Sequence, residues 1–349
     1  MATEPPRRRP RLRDVALRSG VSVSVVSRAL NRDPALRARA ATVERILKAA
    51  DDVGYRPNAA ARTLRTRQVG VLGIILPDVN NPFFSQLLSG IEEACDAAGV
   101  VPLIGRAERL AENPHLMRDL VNEGRVEGFL VQPTDTFPID AFHELAADGV
   151  PHTFLVTRPT GSGSSVILDD ERGIELAAQH AIELGHRRLG YAGGLPQHGT
   201  SRGRRDAFEA VLAGAGIEVR PEWQTALGYT FEDGRAALRQ LASLPERPTA
   251  LVVATHNSAL GVLYEARALG IDVPSELSVV ALHDSPSSER SWPQLTGVRM
   301  PLRQLGVRAV ELLVDSIRTR APRHERITDP APELIVRGST THAIEGEPQ

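Results

Sequence analysis

The sequence predicts two architectures in one chain: a small three-helix head, and an α/β body of two doubly wound parallel-sheet lobes. Three observations carry this. Residues 1–68 hold 16 Lys+Arg against 6 Asp+Glu, a net charge of +10, while the remainder carries −12 within an overall −2. The head shows short apolar-periodic segments separated by turn residues. From residue 69 onward, apolar runs of strand length alternate with amphipathic helical stretches, the pattern of parallel sheets with crossover helices. At 349 residues and 42% hydrophobic, the chain can bury two or three cores.

In the head, LRDVALRSGVSVSVVSRALN (12–31) is the informative stretch. Val15, Ala16, Val21, Val26, Ala29 and Leu30 fall where two short helices would press on a common core. Gly20 permits a sharp reversal between them, and the Ser22 hydroxyl is placed to cap the second helix. That is a helix-turn-helix, with its second helix at about 23–31. The other face of this helix shows Val23, Ser24, Ser27 and Arg28, suited to a DNA major groove. A third helix is expected over 42–53 with Ile46, Leu47, Ala50 and Val53 inward. Residues 1–11 read as a basic disordered arm, 12–56 as the head and 57–68 as a hinge.

The segments LRDVA…SGVSVS.VSR.LN, GYRPNAAAR.LR and PD..NPFF, in that order, resemble the lactose/galactose-repressor (LacI/GalR) family of transcription regulators. The likeness runs to ELIVRGST near the end. It implies a periplasmic-binding-protein-like core and a homodimer on a palindromic operator. It also implies a hinge helix in which Asn58, Arg62 and Arg65 meet DNA and Leu64 wedges into a minor-groove base step. Arg28 is the expected guanine reader, Val23 and Ser24 set the remaining base preference, and Ser27 holds phosphate. Three departures stand in the head, one of them Val25, where the family often has Thr. The segment 32–39 is about two residues longer than the common family pattern, and Arg39 stands where a Ser N-cap is usual.

The body, 69–340, divides by this reading into lobe 1 (about 69–158 and 294–319) and lobe 2 (about 160–287 and 326–338), with a tail at 341–349. The Gly/Ser-rich run 160–165 marks the expected boundary, and the crossings back are implied by the resemblance. Strands are expected at 69–76, 100–104, 128–131, 153–156, 166–168, 189–192, 224–227, 251–254 and 277–282. Helices are expected at 83–98, 116–121, 139–147, 171–184, 204–213, 231–241 and 259–269.

In open parallel sheets, ligands bind beyond the carboxyl ends of the strands, and two lobes place the site between them. Phe83 and Phe84 follow the first strand; one is expected in the core and the other at the cleft. By the resemblance, Arg204 is the cleft arginine, Tyr229 an aromatic closing the cleft, and Asp169–Asp170 a pair near the interlobe hinge. Thr255 and His283 replace the family's usual Asn and first Asp, with Asp284 beside His283. Together with Arg158, these changes point to a sugar or sugar derivative: a sugar acid or sugar phosphate suits Arg204, Arg158 and His283, while a neutral sugar held by a different polar set is the alternative.

Several classes are disfavoured. The single Cys95 excludes a disulfide framework and any Cys-rich metal site, and it is expected to be buried. No run of 18 apolar residues or signal segment is seen, so a cytoplasmic, nucleoid-associated protein without membrane partners is expected. HExxH, P-loop and GxSxG motifs are missing. No enzyme activity, cofactor or metal is expected. The alternatives to a DNA-binding regulator are a free solute-binding protein, against which the basic head argues, and an enzyme.

Overall fold

The computed structural model describes residues 10–30, 36–55, 70–77, 81–107, 112–113, 115–133, 149–156, 163–195 and 199–343. The chain forms two compact units, 1–69 and 70–349. The expected hinge and the expected helix at 139–147 lie outside the described residues.

The first unit is three helices, α1 (Leu12–Ser19), α2 (Val23–Leu30) and α3 (Ala40–Asp52). They close on Val15, Ala16, Val26, Ala29, Ile46, Ala49, Ala50 and Tyr55. α1 ends because Gly20 adopts φ 68°, and its N–H returns to the Ala16 carbonyl at 2.9 Å. The Val25 N–H donates to Ser22 Oγ at 3.4 Å, so Ser22 caps α2. Arg45 Nε donates to the Ser19 carbonyl at 3.1 Å and ties α3 to the end of α1. α3 begins two residues before the expected position, after an extended Arg39 whose side chain makes no cap. Leu47, expected inward, is 49% exposed. The inward stripe is Ile46, Ala49, Ala50 and the half-buried Val53, at i, i+3, i+4 and i+7, and Leu47 lies a third of a turn off it.

The second unit contains two six-stranded sheets. The first has the order β11-β5-β4-β3-β1-β2, from β1 (Val71–Leu76), β2 (Val101–Arg106), β3 (Gly128–Val131), β4 (His152–Leu155), β5 (Ser164–Leu168) and β11 (His324–Ile327). All its pairings are parallel. The second has the order β12-β10-β9-β8-β6-β7, from β6 (Leu189–Gly193), β7 (Gln224–Ala226), β8 (Ala250–Val253), β9 (Ser278–Leu282), β10 (Thr296–Arg299) and β12 (Glu333–Ile335). Only β12 runs antiparallel. The helices are α4 (Phe83–Ala98), α5 (Leu116–Asn122), α6 (Asp170–Glu183), α7 (Gly199–Gly214), α8 (Phe231–Ala242), α9 (His256–Leu269) and α10 (Leu302–Thr319). In lobe 1, α4 and α10 meet so closely that a Cβ on Gly90 would strike the Arg303 carbonyl, and one on Gly306 the Leu87 carbonyl.

The lobes exchange chain at other places than expected. β5 pairs with β4 and β11 in the first sheet, so the 160–165 run is no lobe boundary. Its small polar residues begin a buried strand: Ser164 Oγ accepts from the Arg323 N–H at 3.1 Å, and Ser165 Oγ meets His324 Nδ1 at 2.9 Å. The chain crosses to lobe 2 after Leu168. β10, assigned in advance to lobe 1, pairs with β9 in lobe 2, and the return crossing follows it. β11 stays in lobe 1, so the last crossing lies between Ile327 and Glu333 rather than at 326. Strand pairing, not composition, fixes the boundaries.

Each sheet reverses its build-out once, between β1 and β3 and between β6 and β8, the switch points at which a crevice opens beyond the strand ends. The cleft loops follow β1, β5, β6, β8 and β9.

Candidate functional site

In α2, Val23, Ser24 and Arg28 are exposed and Ser27 is half-buried, on the side away from Val26 and Ala29. The expected reading face is therefore presented. Val25, where the family often has Thr, is half-buried against the head's core. Asn58, Arg62, Leu64 and Arg65 lie outside the described residues, as does Arg158.

The core's site assembles around Arg204. α7 begins at Gly199, five residues before the expected start, which carries Arg204 into the second turn and under the sheet ends. Its guanidinium is 3% exposed. Nε and Nη2 donate to Asp170 Oδ2 at 3.0 and 2.6 Å, and Nη1 donates to the Ala254 carbonyl at 3.1 Å. Burial opposes the arginine's charge, but the Asp170 carboxylate more than compensates, and its pKa is raised. Asp170 Oδ1 is buried without a hydrogen-bond partner. The Tyr229 ring lies 5.3 Å from the guanidinium carbon, and its hydroxyl meets Ser201 Oγ at 2.5 Å. Tyr191 is buried beside this group with an unpartnered hydroxyl, whose pKa burial pushes up.

Thr255 caps α9: its Oγ1 accepts from the Ser258 N–H at 3.3 Å and meets Ser258 Oγ at 2.7 Å. That hydroxyl is engaged within the turn. His256, one residue on, is buried, with Nε2 3.2 Å from Ser285 Oγ and Nδ1 unpartnered. Burial lowers its pKa to about 4. His283 is 2% exposed, and neither ring nitrogen has a partner. Burial, then Arg204 and His256, push its pKa well below the usual histidine value, so it is neutral. Its φ of 72° lies in the left-handed region, where Asp, Asn and His are the non-glycine residues most often found. The Asp-to-His departure thus keeps the backbone and changes the chemistry.

Asp284 is held by Arg337, with Nη1 and Nη2 at 2.8 and 3.1 Å, and by Arg299 at 3.5 Å. Burial raises its pKa, but Arg337 and the Ser288 hydroxyl hold it below the usual carboxylate range. Asp284 therefore fixes the loop that carries His283. Asp169 accepts from Arg326 at 2.9 Å at the lobe crossing.

Neither phenylalanine is exposed: Phe84 is 1% and Phe83 8% accessible. Phe84 is in the core as expected of one of the pair. Phe83 crosses to lobe 2 and meets His283 edge-on, ring centroids 4.7 Å apart. Gln86 Nε2 also donates to the Asp284 carbonyl at 3.2 Å, Thr200 Oγ1 to the Val156 carbonyl at 3.2 Å and Arg326 Nη1 to Glu171 at 2.9 Å, each joining the lobes. Val156 is itself a β-branched residue at φ 65°, a strained position at the cleft margin. The expectation of an anionic ligand weakens here, since Arg204 is already paired with Asp170 and His283 is neutral. Sequence reading missed Asp170 as the partner of Arg204, and it missed His256, Tyr191, Gln86 and Arg337. A signal existed only for His256, which adjoins the altered Thr255. Cys95 is buried as expected, its thiol pushed up to about 11 by burial and by Asp96 and Glu92.

A helix-turn-helix head with an exposed reading face, on the same chain as a two-lobed core with polar groups gathered between the lobes, defines a DNA-binding regulator with a ligand-binding core. Residues 11–58 match the model of bacterial regulatory proteins of the lacI family, and residues 178–340 match a periplasmic binding protein-like domain. The chain is 31% identical to the HTH-type transcriptional repressor CytR of Escherichia coli, over 94% of this chain and 96% of that protein. The crystal structure of the Lac repressor dimer bound to operator and the anti-inducer ONPF superposes with a TM-score of 0.77 at 25% identity, covering 96% of this chain and 100% of that one. The complex of the transcriptional regulator CelR with cellobiose gives 0.67 at 27% identity, over 95% and 100%. The chain belongs to the LacI family. Among the described residues, no helix is long and apolar enough to cross a membrane.

Proposed function

We propose that this protein is a ligand-controlled repressor that binds a palindromic operator as a homodimer and is governed by a sugar or sugar derivative between its lobes. The observation that carries the reading is the exposed face of α2, with Val23, Ser24 and Arg28 opposite its buried stripe. Arg28 reads guanine through two parallel hydrogen bonds, and Ser27 holds phosphate. Asn58, Arg62, Leu64 and Arg65 join them in the hinge by resemblance.

Two observations support the dimer. β2 is an edge strand of the first sheet, with Val101 61%, Leu103 48% and Ile104 47% exposed. An apolar edge of this kind needs a cover, and a second copy supplies it. The similar Lac repressor structure is a dimer on operator. In the core, Arg204, Tyr229, Phe83, Thr255, His283 and Arg158 contact the effector, with Phe84 and Asp284 behind them. The similar CelR protein holds cellobiose, which supports a carbohydrate. Ligand and operator each favour one lobe arrangement, so their affinities are reciprocally linked.

The test is selection of duplexes from a random pool by the full-length chain, followed by anisotropy titration of the winning site. The expected site is two-fold symmetric. Arg28→Ala weakens binding by about 1–3 kcal/mol and relaxes one position per half-site. An asymmetric site, or an Arg28→Ala variant with unchanged base preference, overturns the reading.

A further inference from the structure

The amino ends of the lobe 2 strands, opposite the cleft, hold a separate cavity of about 280 Å³. Arg188, Thr249 and Leu277, which immediately precede β6, β8 and β9, all line it. Its size is close to the ~300 Å³ at which small-molecule sites begin. Leu241 and Leu277 close the floor, and the half-buried Ala242 and Ile271 give it an apolar wall. The rim is charged, and each of its two glutamates is fixed through one oxygen. Glu246 Oε2 accepts from Arg220 Nη1 at 2.5 Å, and Arg220 lies over the Trp223 ring, whose Nε1 donates to the Glu246 carbonyl at 3.0 Å. Glu276 Oε2 accepts from the Asp272 N–H at 2.8 Å. The second oxygens face arginines across the rim: Glu246 Oε1 is 3.8 Å from Arg188 Nη1, and Glu276 Oε1 is 4.0 Å from Arg247 Nη2. Both gaps exceed the reach of an N–H···O bond, about 3.2 Å. The rim thus holds two carboxylate–guanidinium pairs that are anchored but not closed, and pairs this exposed hold each other weakly.

We propose that this cavity is a second ligand site and takes a zwitterionic α-amino acid with an apolar side chain. The ammonium donates to a glutamate Oε1 and the carboxylate accepts from Arg247 or Arg188, so one small molecule converts open pairs into charge-assisted hydrogen bonds of both signs. A plain carboxylate meets the two glutamates without an ammonium to offset them, and a plain amine meets the two arginines in the same way. The side chain lies along Ala242 and Ile271 and leaves water there. The anchors are already held by Arg220, Trp223 and the Asp272 N–H, so little ordering is needed when the ligand arrives. The site stands at the far ends of the strands from Arg204, and it depends neither on the cleft nor on what the cleft binds.

The test is isothermal titration of the full-length chain with L-leucine and L-phenylalanine. Each is set beside a counterpart without the ammonium (isocaproate, hydrocinnamate) and one without the carboxylate (isoamylamine, phenethylamine), and glycine removes the side chain alone. At least one of the two amino acids binds. Its two counterparts and glycine bind about tenfold more weakly or worse, the loss that one charge-assisted bond or a buried side chain carries. Arg247→Ala and Glu276→Gln each lower the affinity by about the same factor. Their side chains are 45% and 49% exposed, so the ligand-free melting of both variants stays close to that of the wild type. Ala242→Leu fills the apolar side without touching a charge and gives the same loss by a second route. The proposal is overturned if neither amino acid binds at millimolar concentration, or if a counterpart lacking one charge binds as well as its parent. It is also overturned if the rim variants and Ala242→Leu bind like wild type, since the amino acid then sits elsewhere.

Discussion

At the residue scale, the departures from the family pattern have separate physical consequences. Arg39 stands at the N-cap of α3 with no side-chain hydrogen bond, and the first turn of that helix holds no acidic residue. Free N–H groups at a helix start favour an oxygen acceptor, and a cation there opposes the helix dipole. Arg39→Ser is therefore expected to stabilise the head by about 1 kcal/mol. Urea unfolding of the full-length chain, followed by exchange of head amides, checks it; a destabilised head shows that Arg39 makes a contact worth more than a cap. His283 teaches the complementary lesson. Its identity was legible as a departure, but its orphaned nitrogens were not, because they depend on Asp170 engaging Arg204 from another strand end. Sequence proximity does not report which side chain has already taken a donor.

At the element scale, the alternation of strands and helices was legible because each element is long enough to show its period. The lobe boundaries were not. β5, β10 and β11 sit beside strands far from them in the chain, and Ser164 and Ser165, at the end of the Gly/Ser run that suggested a linker, start a buried strand with bonded hydroxyls. Leu47 misled for a smaller reason, since one residue of phase moves a side chain about 100° around a helix. The α4–α10 contact makes a prediction of its own. Any Cβ at Gly90 meets the Arg303 carbonyl, a backbone atom that no rotamer change moves aside. Gly90→Ala is expected to cost about 1–3 kcal/mol despite the better helix propensity of alanine. The midpoint of the core's urea transition reads this directly, and a stabilised variant refutes the close packing.

At the scale of the whole molecule, charge is partitioned twice. The head carries the net +10 that attracts phosphate and the body the balancing −12, while inside the body buried charges are matched, Arg204 with Asp170, Arg337 with Asp284, and Glu265 with Arg235 and Arg239. His256 and His283 complete this scheme by staying neutral, which couples stability to pH. His256 has its pKa lowered from 6.5 to about 4 by burial, and His283 is lowered well below 6.5 by burial, Arg204 and His256. When the chain unfolds, both regain an ordinary value and bind protons that the folded core refuses. The unfolded state therefore binds more protons between pH 6.5 and about 4, and stability falls as pH drops through that window. Above pH 6.5 the effect is absent, since both states are neutral. For His256 alone the loss by pH 5 is about 2 kcal/mol on this linkage. Asp284, held low by Arg337 against burial, adds a loss of the same sign at more acidic pH. His256→Gln cannot take up a proton, so the urea midpoint of the core in this variant falls less between pH 7.5 and pH 5 than that of the wild type. An equal fall in both proteins shows that His256 is protonated in the folded core, and its burial as a neutral imidazole is then refuted.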